Sequence, residues 1–136
     1  MTGARALILG MLLWLGGCQT FVNRLVGAGQ VLFQGSSSER SVAQGIASYN
    51  NGDYQAAVVL LRHALEDVTL SKSNKISAHK YLAFTHCISV REKKCRESFE
   101  RIFAINPDFN LTPAEAGHPV WGAVFREVRA RKINNP

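Results

Sequence analysis

The fold of this chain is decided by residues 42–65, which read VAQGIASYNNGDYQAAVVLLRHAL. Small and apolar residues in its first half recur at steps of three and four, the period of one helix face: Val42, Gly45, Ile46 and Tyr49. Asn51-Gly52 is a strong turn signal, and Asp53 is placed to cap a following helix. The stretch therefore predicts two antiparallel helices joined by a tight turn.

Further local signals support this hairpin. Ser36 and Glu39 have the spacing of a capping box, so the first helix is expected to begin there. The second helix is expected to bury one stripe of side chains: Tyr54, Ala57, Val58, Leu61, Leu65 and Val68. All four prolines lie at or beyond position 107, so no proline interrupts residues 38–106.

The hairpin resembles a tetratricopeptide repeat (TPR). That family has a small residue in its first helix, which Gly45 matches, and a turn that Gly52-Asp53-Tyr54 matches. Its second-helix positions are matched by Ala57, Ala64 and Leu65. The resemblance implies close packing of the two helices, because Gly45 and Ala57 leave room where larger side chains would force the helices apart.

The same pattern returns 38 residues later. In this second copy, Leu82 and Ala83 fall where the first helix needs a large and then a small residue. Its second helix has four residues at positions equivalent to those of the first copy: Cys95 for Ala57, Phe99 for Leu61, Ile102 for Ala64 and Phe103 for Leu65. The turn departs from the pattern, since Val90-Arg91-Glu92 replaces Gly-Asp-Tyr and leaves the turn geometry open. A second hairpin is expected, ending at Asn106-Pro107.

The C-terminal part is expected to cover the face that two stacked hairpins leave bare. Thr112-Pro113-Ala114-Glu115 has the signals of a short helix start. A last helix is expected from Pro119 to about Lys132, with one apolar stripe: Trp121, Val124, Phe125 and Val128. The predicted fold of residues 38–136 is all-α, with two TPR-like helical hairpins and a C-terminal capping helix.

The N-terminus is expected to carry an export signal. Arg5 precedes the apolar residues 6–15, a run shorter than the ~20 residues that span a bilayer. The following Leu15-Gly16-Gly17-Cys18 resembles the lipobox of bacterial lipoproteins. The resemblance implies that residues 1–17 are a signal peptide and that Cys18 becomes the lipidated N-terminus. The alternative is an ordinary secretory signal with an incidental cysteine at its end.

The residues after the lipobox bear on localisation. Gln19 is a residue other than Asp, which by the same resemblance implies sorting to the outer membrane. The lipid would then anchor the protein, with its domain facing the periplasm. Residues 18–37 are rich in glycine, show no strong period and are expected to form a flexible tether.

The motif content favours a binding protein over an enzyme. The formal net charge of +6 is common, and it is only weakly specific for an anionic surface or partner. The sequence contains no Gly-rich phosphate loop, nucleophile elbow or outstanding pair of carboxylates. We therefore expect no catalytic residue, no cofactor and no nucleic-acid partner.

Two cysteines remain once Cys18 is assigned to the lipid. Cys87 and Cys95 flank the turn of the second hairpin, and two alternatives stay open: a disulfide in the oxidising periplasm, or two buried thiols used as small core residues. A metal site that adds His79 and His86 is not expected, because metal ligands usually come as tighter pairs. A thiol or metal protein is nevertheless a third functional hypothesis, after the two given below.

Repeats of this type bind partners on the surface lined by their first helices. The resemblance places seven residues there: Val42, Ile46, Tyr49, Asn50, Lys80, Phe84 and Ile88. This lining is apolar and aromatic with one lysine, so a helix or an extended apolar peptide would suit it. The alternative is that the tether or the C-terminal helix covers much of the surface.

A narrower resemblance spans about residues 76–128. His86, Cys87, Cys95 and Phe99, followed by the stretch NPDFNLTPAEAGHPVWG at 106–122, are similar to small lipoproteins associated with type VI secretion systems. This resemblance implies a non-enzymatic adaptor that binds periplasmic or envelope proteins of such a system. The alternative is an envelope lipoprotein that aids outer-membrane or pilus assembly.

Overall fold

A computed structural model describes residues 35–134, which belong to one compact unit of the chain, Gly35–Pro136. The described residues form helices and contain no strand, so the predicted all-α class is confirmed. The six helices are α1 (Ser37–Asn50), α2 (Tyr54–Leu65), α3 (Lys72–Ile88), α4 (Glu92–Ile105), α5 (Pro113–Ala116) and α6 (Trp121–Asn134). The predicted signal peptide 1–17, Cys18 and nearly all of the tether 18–37 lie outside the described residues.

The first hairpin begins and turns where its local sequence predicts. The Ser36 hydroxyl accepts a hydrogen bond from the Glu39 backbone N–H at 3.2 Å, and the Glu39 carboxylate accepts one from the Ser36 N–H at 3.1 Å. This reciprocal pair is the predicted capping box. At the start of α2, the Asp53 carboxylate accepts a hydrogen bond from the Ala56 N–H at 3.0 Å. Both helix starts are therefore fixed by side chains adjacent in sequence.

The turn between α1 and α2 depends on one glycine. Gly52 has a φ of +80°, a conformation that residues with a Cβ rarely adopt. Its N–H donates to the Tyr49 carbonyl at 3.0 Å, while the Asp53 N–H donates to the Ser48 carbonyl at 2.9 Å. These two bonds are the pair that closes a helix in a Schellman motif.

A second glycine sets how closely α1 and α2 approach. A Cβ added at Gly45 would lie 2.7 Å from Leu61 Cγ and 3.3 Å from the Leu61 backbone nitrogen. Leu61 is completely buried and has little room to move away. The close approach that the sequence predicts is confirmed, with Leu61 of α2 as the side chain that occupies the space.

The second hairpin repeats this architecture at the same offset of 38 residues. The predicted counterparts of the first-hairpin core are all buried: Ala83, Cys95, Phe99, Ile102 and Phe103. The turn also repeats, although its sequence differs. Val90 occupies the place of Gly52 with a φ of 56°, its N–H donates to the Cys87 carbonyl at 3.1 Å, and the Arg91 N–H donates to the His86 carbonyl at 2.8 Å. A valine is thus held in the left-handed conformation that glycine adopts in the first turn.

The buried stripe of α2 ends earlier than predicted. Val68 is 85% exposed because α2 ends at Leu65 and the chain has left the helix by that point. Leu70, in the connection to α3, is buried in the first core cluster instead. This cluster fills the space between α1, α2 and α3 with Val42, Leu61, Ala64, Leu70, Ala78 and Leu82.

The C-terminal residues form the predicted cover over the second hairpin. Thr112 and Glu115 form a capping box at the start of α5, with hydrogen bonds of 3.0 and 3.3 Å. The last helix begins at Trp121 rather than Pro119, and it buries Trp121, Phe125 and Val128. Aromatic rings join it to the hairpin: Phe84 to Trp121 at 4.4 Å, Phe99 to Phe125 at 5.3 Å and Phe103 to Phe125 at 5.5 Å between centroids.

Gly45→Ala is expected to lower the free energy of unfolding by about 1 kcal/mol. Overpacking against Leu61 costs about 1–3 kcal/mol, and the better helix propensity of alanine returns about 1 kcal/mol. In a Leu61→Ala background the two closest contacts, with Cγ and Cδ2, are gone and only the 3.3 Å contact with the backbone nitrogen remains, so the same substitution should become close to neutral or stabilising. Urea unfolding of the four proteins in this double-mutant cycle measures the coupling.

The control for this cycle is Ala47→Gly on the exposed side of α1. It should cost about 1 kcal/mol whether residue 61 is leucine or alanine, because it tests helix propensity alone. Equal costs of Gly45→Ala in both backgrounds would contradict the assignment of Leu61 as its steric partner.

Candidate functional site

Two residues predicted to line the binding surface are buried, so that prediction is wrong for them. Val42 is 3% exposed and packs in the cluster between α1, α2 and α3. Phe84 is 2% exposed and stacks on Trp121 of α6. Helical periodicity identifies an apolar face but does not show which neighbour covers it. At Phe84 the cover is the C-terminal helix, the alternative that the sequence left open.

The rest of the predicted surface stays partly accessible. Ile46, Tyr49 and Ile88 are half-buried, and Asn50 is exposed. Tyr49 forms a cluster with Tyr54 and Tyr81, with ring centroids 5.7 and 5.2 Å from its own. We call Tyr49, Tyr54 and Tyr81 the tyrosine cluster; all three are half-buried.

The phenol of Tyr49, at the centre of the tyrosine cluster, stays neutral. Burial raises the pKa of Tyr49 to about 12, and the neighbouring Tyr54, Tyr81 and Glu115 act in the same direction. Within residues 35–134 the hydroxyl of none of the three forms a hydrogen bond to another protein group. Each phenol can therefore offer both a ring face and a hydrogen-bond donor to a partner.

Lys80 is predicted to contact a partner at the surface, but in the structure it forms an ion pair within the domain. Its Nζ lies 2.6 Å from Glu115 Oε1, with about a fifth of each side chain exposed. The same Nζ lies 5.2 Å from the ring centroid of Tyr81. Burial works against the Glu115 carboxylate, but hydrogen bonds from Lys80 and Thr112 outweigh it and lower the pKa of Glu115. Lys80 thus ties α3 to α5 beside the tyrosine cluster.

Cys87 and Cys95 are joined by a disulfide, with their Cα atoms 5.1 Å apart. The bridge spans the turn that contains Val90, and both cysteines are buried. This second turn lacks the two local devices of the first, because Val90 replaces the glycine and Arg91 makes no side-chain capping bond. We infer that the disulfide holds a turn that its own sequence specifies poorly.

A groove between α2, α3 and α4 contains both histidines that the sequence singled out. Its volume is about 460 Å³, and its lining includes Arg62, Glu66, His79, His86, Lys94, Glu97, Ser98 and Arg101. Burial and then the charge of Arg101 lower the pKa of His79 to about 4. Among residues 35–134 no three His, Cys, Asp or Glu side chains are grouped to hold a metal ion.

Sequence reasoning missed this groove. Its members come from three helices, and sequence spacing shows only the pairs within one helix, His79 with His86 on α3 and Lys94 with Arg101 on α4. Lys94 and Arg101 lie seven residues apart, which places both on one polar face of that helix. Nothing local brings Arg62 of α2 to the same place.

The stretch at 106–122 builds the cover over the second hairpin. His118 stacks on Trp121 with ring centroids 3.3 Å apart, and the Trp121 indole N–H donates to the Glu115 carbonyl at 2.9 Å. A Cβ added at Gly122 would overlap the Ala116 carbonyl oxygen, so a larger residue there would push α5 and α6 apart. These residues are explained by packing and hydrogen bonding within the cover.

Comparison of the chain with protein-family models, with curated proteins and with solved structures finds no match. No helix among residues 35–134 is both long and apolar enough to cross a membrane.

Val90→Gly is expected to raise the free energy of unfolding by about 1 kcal/mol, because it removes the ~1–2 kcal/mol cost of a left-handed valine and adds some chain entropy to the unfolded state. Little packing is lost, since Val90 is 90% exposed.

Reduction of the disulfide between Cys87 and Cys95 should lower the free energy of unfolding by about 2–3 kcal/mol. Val90→Gly combined with Arg91→Asp should recover much of that loss by restoring the turn glycine and the helix cap.

Urea unfolding of oxidised and reduced protein measures both effects. The matched control is Gly52→Val in the first hairpin, which should destabilise, because it places a valine at a φ of +80°. A loss of stability in Val90→Gly would contradict the assignment of strain to this position.

Proposed function

We propose that this chain is a non-enzymatic, lipid-anchored adaptor of the outer membrane. Its TPR-like domain would bind a protein partner in the periplasm, as an accessory component of a type VI secretion system. The observation that carries the binding part is the tyrosine cluster at the surface of α1, α2 and α3, whose three phenols have no hydrogen-bond partner among residues 35–134.

The TPR-like assignment is supported by the repeated architecture. Gly45, Ala57 and Leu61 of the first hairpin are buried, and so are Ala83, Cys95 and Phe99, which lie 38 residues further along. Both turns close with the same pair of backbone hydrogen bonds. Two units with one register and one turn geometry are what a helical repeat requires.

The partner class follows from the chemistry of the surface. Tyrosine is enriched in protein interfaces, because its ring is large and rigid and its hydroxyl can donate a hydrogen bond. Ile46 supplies an apolar neighbour and Asn50 an exposed amide on the same helix. This combination suits an extended peptide or an amphipathic helix, whose backbone carbonyls can accept from the phenols.

The location rests on two features. The sequence around Cys18 resembles a lipobox, and the Cys87–Cys95 disulfide fits an oxidising compartment. The link to type VI secretion rests on the resemblance at residues 76–128, and a role in outer-membrane or pilus assembly is the competing assignment.

Cys18→Ser is expected to abolish incorporation of radiolabelled palmitate and to move the protein from the membrane fraction to the soluble fraction. The lipid on Cys18 is the membrane anchor in this proposal, and each buried methylene contributes about 0.8 kcal/mol to anchoring. The matched control is the double variant Cys87→Ser with Cys95→Ser, which should keep both the label and the membrane location. A Cys18→Ser protein that stays in the membrane fraction would contradict the anchor.

A photo-crosslinking residue at Asn50, beside the tyrosine cluster, is expected to give discrete adducts in intact cells. The same residue at Ala104, exposed on α4, serves as the control position and should give few. Tyr49→Phe with Tyr81→Phe keeps the rings and removes the hydroxyls, so it should lower the adduct yield at Asn50 several-fold while circular dichroism stays unchanged.

Mass spectrometry of the adducts separates the two assignments. Components of a secretion-system membrane complex would support the leading proposal, and pilus or outer-membrane assembly proteins would support the competing one. Equal adduct yields at Asn50 and Ala104 would contradict the proposed binding surface.

A further inference from the structure

The groove between α2, α3 and α4, which we call the positive groove, gathers cations that are not neutralised by ion pairs. Arg62, Lys94 and Arg101 line it, and within residues 35–134 none of them forms a salt bridge. Two carboxylates, Glu66 and Glu97, share the lining. The Glu66 side chain is 76% exposed and contacts His63, so it lies in solvent at the rim.

A buried histidine in the lining lacks a hydrogen-bond partner. His86 is 6% exposed, and its Nδ1 is buried with no partner among the described residues. The Ser98 hydroxyl, also in the lining, donates to the Lys94 carbonyl at 2.8 Å. Buried polar atoms in folded proteins are nearly always paired, so an unpaired histidine nitrogen is an unusual feature of the groove wall.

Nearby cations contribute to the pKa values of both histidines. Burial and then the charges of Lys94, Arg91 and Arg62 lower the pKa of His86, with Glu97 as the opposing group. Burial and then the charge of Arg101 lower the pKa of His79. Burial disfavours a charge of either sign, but the contributions of the arginines and the lysine disfavour a bound cation and favour an anion.

We propose that the positive groove binds a phosphate group, carried by a free small molecule or by a lipid headgroup. Two arginines and a lysine suit a dianion with several acceptor oxygens, because guanidinium groups donate to phosphate in pairs and lysine adds a point charge. The volume of about 460 Å³ lies within the range of small-ligand sites. This site is separate from the tyrosine cluster and does not depend on the proposed adaptor function.

The test is NMR spectroscopy of the imidazole signals of His79 and His86 in the full chain, purified in a non-ionic detergent. Inorganic phosphate is added at constant ionic strength against sodium chloride. We expect saturable shifts at both histidines and a rise in the pKa of His86, because an anion stabilises the imidazolium. Arg62→Gln and Arg101→Gln should each weaken phosphate binding about tenfold, as expected for loss of one charged hydrogen bond.

The matched control is Arg129→Gln, an exposed arginine of α6 outside the groove, which should leave phosphate binding unchanged. Shifts that do not saturate would overturn the proposal. So would shifts that Arg62→Gln and Arg101→Gln do not weaken, or shifts that Arg129→Gln weakens equally.

Two further probes distinguish the sources of the phosphate. Glycerol 3-phosphate tests a free phosphomonoester, and phosphatidylcholine vesicles with and without phosphatidic acid test a headgroup at a membrane surface. Arginine-dependent binding of the soluble phosphates supports a free ligand, and arginine-dependent binding of only the phosphatidic acid vesicles supports a lipid headgroup. If neither the soluble phosphates nor the phosphatidic acid vesicles bind, the proposal is overturned. It is also overturned if succinate, added as a dicarboxylate without phosphorus, gives saturable shifts while the phosphate compounds give none.

Discussion

The contact between Gly45 and Leu61 sets the spacing on which the rest of the domain depends. Because position 45 has no Cβ, Leu61 can lie against the α1 backbone and close the first hairpin tightly. That closure brings Leu61 into the same buried cluster as Val42 of α1 and Leu82 of α3, which joins the first hairpin to the second. A wider gap at this point would disturb the cluster that α1 and α2 share with α3.

Interactions between residues close in sequence were predictable, and interactions between distant residues were not. The capping boxes, the Gly52 turn and the Asp53 cap are local, so a few residues specify each of them. The exposure of an apolar face depends on which helix arrives to cover it. The sequence therefore identified Val42 and Phe84 as apolar face residues but assigned them to the wrong surroundings. The positive groove was missed for the same reason, since Arg62 of α2 is distant in sequence from Lys94 and Arg101 of α4.

The C-terminal cover has two effects on the surface of the first helices. Trp121 buries Phe84 and removes it from any interaction surface. Glu115 pairs with Lys80 and fixes the edge of the cover beside Tyr81. The tyrosine cluster is what remains accessible between the first hairpin and this edge. The cover thus defines the candidate binding surface by setting its boundary.

The second turn makes the stability of half the domain depend on its chemical surroundings. In the first hairpin the turn is specified by its own sequence, through Gly52 in the turn and Asp53 at the start of the next helix. The second hairpin has a valine in the left-handed conformation and a following helix without a side-chain cap. Its turn is spanned by the disulfide between Cys87 and Cys95. In a reducing compartment that bond is absent, so this half is the weaker one; in an oxidising compartment it gains its missing constraint. A newly made chain would therefore stay easier to unfold until it reached the place where its cysteines can pair.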